Sequence, residues 1–400
     1  MRLLNPKNEN ELLLWQRPRP FLHCQKQIIL IIPEMVNGST VYTHPLYDEL
    51  EACFNNLETV TFNLDSKVGQ AAFEEHFKLP QLIELEAKKL GKPQAFIEIK
   101  SAEKLGQNEE ESFSSLDALF YYPYKWVFRH KIKLRKSSIL SIVKDITLMG
   151  NLSHRFFELM FKKENDIDSW NRNDVNEWID ASAKKLLSKE GAVLLMYGRE
   201  PEKIAFLNRV KYAAWSLISM IRANGWKVQK TEAKLNGKFS NIAMKGIADL
   251  VLERGDELAV IDLKWRGASR RQMMIKNEED LQLVMYSRLL TAEDTWAHTA
   301  YFILENGKMI SRNELAFKEA IPVAPSSDHE AINQHIYEMM EKTYQWRLNQ
   351  LKAGKIEVRT AQTASELEEI YGNDELIEIL EMRKENAMFD DYRTLINLVS

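Results

Sequence analysis

The stretch that decides the fold reads Gly246-Ile247-Ala248-Asp249, then the pair Gly255-Asp256, then Ile261-Asp262-Leu263-Lys264. Apolar residues on both sides of Gly255-Asp256 predict two strands, and the adjacent Gly and Asp predict a two-residue hairpin turn. That turn makes Asp249 and Asp262 cross-strand partners, with Cβ atoms about 4.5 to 5.5 Å apart. Lys264, two residues beyond Asp262, projects from the same face of its strand. The hairpin therefore predicts two carboxylates and one ammonium on a single patch.

Two carboxylates this close repel each other unless one takes up a proton or a divalent cation lies between them. Oxygen ligands suit a hard cation such as Mg²⁺ or Mn²⁺. With that cation bound, Lys264 can orient a water or stabilise a pentavalent phosphorus, so phosphodiester hydrolysis is the natural chemistry. A surface hairpin with an ordinary Asp–Lys ion pair is the alternative interpretation of the same short pattern.

Four further residues can be interpreted either as part of a catalytic site or as ordinary structural residues. His154 lies in an apolar helical stretch, where a histidine is commonly a packed or capping residue. Gln282 and Tyr286 are spaced four residues apart and share one helix face, which also fits a plain polar stripe. Glu232 could add an acidic group near the cation, but we interpret it as an exposed strand residue.

The order and separation of four motifs resemble the PD-(D/E)XK nuclease superfamily, in particular its RecB-like nuclease domains. The motifs are Gly150-Asn151-Leu152-Ser153-His154, Gly246-x-x-Asp249, Asp262-Leu263-Lys264 and Gln282-x-x-x-Tyr286. The resemblance covers about 113–305. It implies that Asp249, Asp262, His154 and the backbone carbonyl of Leu263 bind the metal, and that Lys264 serves the attacking water. It also implies that Gln282 and Tyr286 belong to the helix on the DNA side.

The segment from Phe113 to Trp126 looks like the start of the same domain in AddB-type subunits of bacterial helicase–nuclease complexes. In those subunits a cysteine commonly precedes the proline and helps to hold an iron–sulfur cluster. Tyr122 stands in that place here, so we expect no iron–sulfur cluster. Residues 1–105 resemble, on fewer positions, a remnant of the inactive helicase-like region. The resemblance therefore implies a helicase partner.

The predicted fold class is α/β: a restriction-endonuclease-like core with a mixed central sheet flanked by helices, plus a small N-terminal α/β domain. We assign the core, with helical insertions and a helical C-terminal tail, to residues 113–400, and place a domain boundary in Ser101–Glu111. Starting from Ile28–Ile32, residues 27–100 read β-α-β-α-β, which predicts a parallel sheet. Pro33-Glu34 replaces the glycine loop that a phosphate requires, so we expect no ATP site. Asn236-Gly237 predicts a second hairpin turn.

Charge is informative only locally. The chain has 54 Lys and Arg against 58 Asp and Glu, and this net charge of −4 argues against wrapping nucleic acid with the whole surface. Two runs contain no acid, and they are Lys125, Arg129, His130, Lys131, Lys133, Arg135 and Lys136, and then Lys264, Arg266, Arg270, Arg271 and Lys276. Such runs pair with phosphates, although solvated charged faces look the same. We predict DNA contacts from Arg266, Arg270 and Arg271.

Composition excludes several classes of protein. Glycine (15) and proline (11) are too scarce for a collagen-like or linker-like chain of 400 residues. Cys24 and Cys53 are the only cysteines in the sequence and have no CxxC spacing, which excludes a disulfide framework and a zinc ribbon. The sequence also contains no apolar run of membrane-spanning length. We therefore expect a cytoplasmic protein without a membrane partner.

These features predict a Mg²⁺- or Mn²⁺-dependent DNA nuclease. The expected substrates are DNA ends or single strands, in repair, recombination or defence, together with a partner helicase. One alternative is an inert DNA-binding or helicase-docking subunit, and another is an RNA-directed or transposon-linked nuclease of the same fold. The complete set of His154, Asp249, Asp262 and Lys264 argues against the inert subunit. A protein that does not bind a metal has no chemical reason to keep like charges close together.

Overall fold

A computed structural model gives the structure of most of the chain. The residues it describes are 11, 15–16, 18–36, 39–43, 45–77, 91, 94–135, 145–162, 164–291, 295–359, 365, 369, 372, 379–383 and 390–398. Contacts divide the chain into two compact units, Met1–Lys89 and Leu90–Ser400. Each unit is described by itself.

The first unit contains short elements. They are α1 (Arg19–Leu22), β1 (Met35–Val36), β2 (Ser39–Thr40), α2 (Pro45–Cys53), a 3₁₀ turn (Leu57–Val60) and α3 (Lys67–His76). Strands β1 and β2 form an antiparallel hairpin. Ser66 caps α3, because its side chain accepts a hydrogen bond from the Gly69 N–H.

The predicted parallel sheet in residues 27–100 is wrong for the part of the chain that the structure describes. Ile28–Ile32 is irregular rather than a strand, and its side chains are exposed, Ile31 by 84%. The second predicted strand, Val60–Leu64, is not a strand either: Val60 ends the 3₁₀ turn, residues 61–63 are irregular and Leu64 lies in a turn. An apolar run makes a buried strand only where neighbouring strands pair with its backbone and helices cover its faces, and the described residues supply neither here.

The third predicted strand exists but pairs elsewhere. Strand β3 (Phe96–Glu98) is antiparallel to β11 (Lys355–Glu357), so it belongs to the second unit. This pairing places the division between the units ahead of the boundary predicted in Ser101–Glu111. The predicted helical tail lies largely outside the described residues, and 391–397 form turns.

A mixed sheet forms the centre of the second unit. Within the described residues its seven strands are β4 (Glu110–Ser112), β5 (Lys227–Phe239), β6 (Ile242–Arg254), β7 (Glu257–Lys264), β8 (His298–Ile303), β9 (Lys308–Ser311) and β10 (Ile321–Pro322). The order is β10-β9-β8-β7-β6-β4, and β5 lies along the other edge of β6. Pairs β4–β6, β7–β8 and β9–β10 are parallel, while the pairs β5–β6, β6–β7 and β8–β9 are antiparallel.

Helices cover both faces of this sheet. They are α4 (Phe113–Tyr121), α5 (Asp145–Met160), α6 (Arg172–Glu190), α7 (Glu200–Ala223), α8 (Ala268–Lys276), α9 (Leu281–Leu290) and α10 (His329–Lys352). Alternate residues of β6 enter two cores: Leu250 and Leu252 pack with α5, α6 and α7, whereas Val251 packs with α4, α9 and α10. The predicted restriction-endonuclease-like α/β class, with a mixed sheet between helices, is confirmed. Helix α8 was not predicted.

The two long hairpins turn at different kinds of site. Strands β6 and β7 turn at Gly255-Asp256 as predicted, and Arg254 pairs with Glu257. The turn predicted at Asn236-Gly237 is wrong, because β5 continues to Phe239 and the chain reverses at Ser240-Asn241. Both residues of that turn have left-handed backbones, φ 45° and 68°, as a type I′ hairpin requires. Gly237 instead gives room to Leu289, since a Cβ there would lie 2.6 Å from Leu289 Cδ2.

In the described part of the chain, no helix is both long and apolar enough to span a bilayer.

Two motif glycines differ in their steric need. A Cβ on Gly246 would lie 2.7 Å from Tyr286 Cε1, whereas one on Gly150 would lie 3.8 Å from Trp265 Cβ, an ordinary contact. We therefore predict that Gly246→Ala lowers the free energy of unfolding by about 1 to 3 kcal/mol. Gly150→Ala, within α5, should be neutral or raise it by up to about 1 kcal/mol. Denaturant unfolding of both variants measures the difference, and equal effects would contradict this packing.

Candidate active site

The candidate site lies where β6 and β7 separate. Their hydrogen-bonded ladder ends at the pair Leu250 and Ile261, and Asp249 and Asp262 follow directly after it. Beyond this point β7 continues along β8 as far as Lys264. The earlier part of β6 pairs with β4 instead, at Lys245 and its neighbours. The edge of β6 between Lys245 and Leu250 is thus open on this side, and it exposes a gap in the sheet.

Asp249 spans this gap. Its Oδ2 accepts a hydrogen bond from the Leu263 N–H at 2.7 Å, and its Oδ1 lies 3.5 Å from His154 Nδ1. The side chain of Asp249 is 16% exposed. The carboxylate therefore replaces the missing ladder bond of Leu263 and also faces the imidazole. The role predicted for the Leu263 carbonyl stays a prediction.

Asp262 is the more buried acid of the pair, at 3% exposure. Lys264 Nζ lies 2.6 Å from its Oδ2. Burial is the largest influence on Asp262 and raises its pKa to about 6; the charge of Asp249 also raises the pKa, while Lys264 lowers it. The sheet thus holds a carboxylate that takes up a proton more readily than an ordinary aspartic acid.

Glu232 completes the acidic group, contrary to its interpretation as an exposed strand residue. Pairs Thr231–Leu250 and Ala233–Ala248 flank it, so Glu232 lies across from Asp249. Its backbone is left-handed, with φ 44°, a conformation that costs a residue with a Cβ about 1 to 2 kcal/mol. Burial is the largest influence on Glu232 and raises its pKa, and the negative charge of Asp249 raises the pKa further.

His154 approaches from the helical layer. It lies on α5 between Leu152 and Phe156, which are buried against the sheet, while its own side chain is 29% exposed. Burial is the largest influence and disfavours the imidazolium, but the hydrogen bond and charge of Asp249 outweigh it and raise the pKa of His154. The imidazole thus interacts with the carboxylate of Asp249 rather than packing into the apolar core.

His154, Glu232 and Asp249 could hold a metal ion together. Each offers one ligand atom, and the three atoms lie within 4.8 Å of one another. One imidazole nitrogen and two carboxylate oxygens suit Mn²⁺ well and Mg²⁺ adequately. Asp262, the other predicted ligand, is not part of this group of three, although the charge of Asp249 acts on it. The donor set fits the divalent ion that the sequence predicts.

Gln282 and Tyr286 lie on α9, beside the open edge of β6. Gln282 Nε2 donates to the Tyr286 hydroxyl at 3.3 Å. The Tyr286 ring covers Gly246, and its centroid is 6.4 Å from that of Phe113 in an edge-to-face contact. Helix α9 thus contributes both a packed ring and polar groups next to the predicted site.

A large groove adjoins Gly246 and Ile247, with a volume of about 1460 Å³. Its charged lining consists of Lys125, Arg129, Arg135, Lys234, Lys245, Arg270, Arg271 and Arg383, against Asp117, Glu279 and Asp391. His130 also lines it, but burial and the charges of Arg129 and Arg135 lower the pKa of this imidazole. The lining also includes Gln282 and four aromatic rings, those of Phe113, Tyr122, Tyr286 and Tyr392. Both basic runs of the sequence therefore contribute to one surface.

Arg266 lies apart from that surface. Its Nε is 3.0 Å from Glu305 Oε1, a carboxylate that also accepts from Arg209. Trp265 is buried and packs on Phe206 with a centroid distance of 5.5 Å, so this ring belongs to the core. Of the second basic run, Arg270 and Arg271 on α8 line the groove, whereas Arg266 after the end of β7 does not.

A mixed α/β sheet with an acidic pair, a lysine two residues after the second acid and a flanking histidine is suited to metal-dependent hydrolysis of phosphodiesters. The sequence pattern of the PD-(D/E)XK nuclease superfamily matches residues 110–363, well over half of the chain. The chain belongs to the PD-(D/E)XK nuclease superfamily. A comparison with curated proteins finds no match.

The buried charge of Asp262 makes stability depend on pH. Because its pKa rises from 3.8 to about 6 on folding, the ionised carboxylate destabilises the fold above about pH 6, and this cost disappears below about pH 4. We predict that Asp262→Asn raises the free energy of unfolding in EDTA at about pH 8, by no more than about 3 kcal/mol. Thermal and denaturant unfolding measure the gain, which should vanish at about pH 4.

Asp256→Asn, at the exposed tip of the same hairpin, is the matched control and should show no such pH-dependent gain. A gain for Asp262→Asn that is the same at both pH values would contradict the assignment of burial as its cause.

Glu232 provides a test of the donor set. We predict that Glu232→Gln weakens Mn²⁺ binding by at least about 10-fold, because an amide oxygen replaces one of the carboxylates. Titration calorimetry measures the affinity. Glu253→Gln, on β6 and bonded to Gln229, should leave it unchanged. Equal Mn²⁺ affinity in the two variants would remove Glu232 from the site.

Proposed function

We propose that this protein is a Mg²⁺- or Mn²⁺-dependent deoxyribonuclease that hydrolyses phosphodiester bonds in DNA ends or single strands. One observation carries the proposal: the strands that bear Asp249, Asp262 and Lys264 separate at these residues, and Gly246 and Ile247 on the open edge of β6 line a groove rich in cations. Polyanionic nucleic acid is the substrate class whose charge complements that groove.

The division of labour follows from the contacts. His154, Glu232 and Asp249 would hold the cation together with Asp262, and a divalent cation supplies positive charge at the phosphoryl group and acidifies water there. Lys264 has its ammonium 2.6 Å from Asp262 and about one quarter of its side chain exposed. It can therefore orient the attacking water while it offsets the charge of the acid.

The groove supports a single strand as its occupant. Aromatic rings of Phe113, Tyr122, Tyr286 and Tyr392 line it among the cations, and bases stack on such rings without regard to sequence. Gln282 and Tyr286 line the groove together with Arg270 and Arg271, and the Tyr286 ring also covers Gly246 on the open strand edge. These four residues are the proposed DNA contacts.

The wider setting of the activity is part of the proposal. The resemblance to AddB-type subunits supports a helicase partner that opens the DNA, and a role in repair, recombination or defence. The N-terminal residues 1–105 would then be a remnant of a helicase-like region. The scarcity of cysteine supports a cytoplasmic location.

We predict that Asp262→Asn and Lys264→Ala each abolish Mg²⁺- or Mn²⁺-dependent cleavage of end-labelled single-stranded DNA. The expected fall is at least about 100-fold, because each group acts on the developing charge. Gel assays with matched DNA and RNA strands measure it, and circular dichroism verifies folding. Asp256→Asn is the control.

Cleavage that persists in Asp262→Asn would overturn the proposed active site. A wild-type protein that binds DNA but never cleaves it would favour the inert docking subunit. Preferential cleavage of the RNA strand would replace the deoxyribonuclease assignment.

A further inference from the structure

We propose that Arg271 is a second catalytic cation, which binds the scissile phosphate opposite Lys264 and stabilises its transition state. This inference rests on the proposed nuclease function and goes beyond a general DNA contact. According to this inference, Arg271 increases the rate of bond cleavage rather than the affinity for the DNA strand.

The sheet places Arg271 beside the acidic pair. Asp262 on β7 is the direct parallel partner of Tyr301 on β8, so the two side chains share one face of the sheet. The guanidinium carbon of Arg271 lies 5.2 Å from the centroid of the Tyr301 ring. Its charge acts on both residues and lowers the pKa of Asp262 and of Tyr301. Arg271 therefore lies on the β8 side of Asp262.

The chain path fixes this position. Gly267, with φ 99°, turns the chain out of the sheet only three residues after Lys264, and α8 begins at once. The Arg271 N–H donates to the Gly267 carbonyl at 3.0 Å in the first turn of that helix. The same short connection thus joins the two cations, Lys264 and Arg271.

The hydrogen bonds of Arg271 leave its fork available to an anion. Its Nη1 donates to Met274 Sδ at 3.0 Å, and a thioether is a weak acceptor. Its Nε is buried without a hydrogen-bond acceptor among the described residues. The Tyr301 hydroxyl also interacts with the guanidinium, but no carboxylate among the described residues forms an ion pair with it. Two phosphate oxygens would supply such charged acceptors in parallel.

Two other cations of the groove, Lys245 and Arg383, are held by carboxylates. Lys245 forms an ion pair with Glu110, and Arg383 lies 3.5 Å from Glu279 and 3.7 Å above the Tyr121 ring. Arg270, the neighbour of Arg271, is exposed on the groove wall. Of these cations, Arg271 combines a partly buried position with contact to the face that bears Asp262.

The chemical step needs no proton from Arg271. The oxygen of a water forms a bond to phosphorus, the bond from phosphorus to one ester oxygen breaks, and that oxygen leaves with the electron pair. The water loses a proton to solvent, and the leaving oxygen gains one. Arg271 stays charged throughout, and its two N–H groups bind the nonbridging oxygens on which negative charge builds.

The test separates catalysis from binding. Arg271→Met, Arg271→Lys, Arg270→Met and Lys276→Met are compared with wild type by two measurements. Fluorescence anisotropy in EDTA gives the Kd for a labelled single strand, and single-turnover digestion in Mn²⁺ with saturating protein gives the rate constant of cleavage. Lys276, exposed at the end of α8 and outside the groove lining, is the control.

Arg271→Met should lower the rate constant by about 100-fold or more while Kd rises less than about 10-fold. Arg271→Lys should stay at least about 10-fold below wild type, because an ammonium cannot form two parallel bonds. Arg270→Met should mainly raise Kd, and Lys276→Met should change neither quantity. Circular dichroism should show that Arg271→Met is folded, and its Mn²⁺ affinity should be no lower than that of wild type.

Three results would overturn the inference. They are a rate constant for Arg271→Met equal to that of wild type, a change confined to Kd as in Arg270→Met, and a loss of Mn²⁺ affinity that marks Arg271 as a positioning residue for Asp262. Failure of the proposed function looks different, since wild type and Asp262→Asn would then be equally inactive.

Discussion

The structure depends on keeping several carboxylates together at a place where the sheet opens. Asp249 and Asp262 follow the last pair of the β6–β7 ladder, and Glu232 lies across from Asp249 on β5. Their repulsion is offset locally, because the Leu263 N–H binds one acid and the Lys264 ammonium the other. The two cores on either side of β6 hold the backbone in place against that repulsion. A site that costs stability in this way indicates that its charges serve a ligand.

The two aspartates have unlike surroundings, and this difference separates their tasks. Asp249 is half-buried and faces His154 and Glu232, which gives a set of donors open to an incoming ion. Asp262 is buried and forms an ion pair with Lys264. Its carboxylate therefore lies between the metal-binding donors and the Lys264 ammonium. One hairpin can therefore bind positive charge on one side and present positive charge on the other.

Much of this arrangement follows from the sequence, and the exceptions have physical reasons. The Gly255-Asp256 turn set the register that brings Asp249 to Asp262, because a two-residue turn leaves no freedom in the pairing. A turn at Asn236-Gly237 would have put Glu232 across from Asn241, whereas the actual turn at Ser240-Asn241 puts it across from Asp249. Ser240 is an uncommon residue at positive φ, so local turn preference favoured the wrong dipeptide. Arg271 depends on α8, whose short length gave no apolar periodicity to predict.

The distribution of charge explains why such a chain can be acidic overall and still bind a polyanion. The net charge of −4 is an average over a surface whose basic groove and acidic centre are adjacent. A nucleic-acid backbone that entered the groove would be attracted by its cations and repelled by the carboxylates beyond the open edge of β6. Repulsion at the centre falls only when those carboxylates are neutralised, so occupancy of the donor set and approach of the phosphate favour each other. In the proposed nuclease, such mutual dependence would restrict cleavage to complexes that contain both partners, which a uniformly basic surface could not achieve.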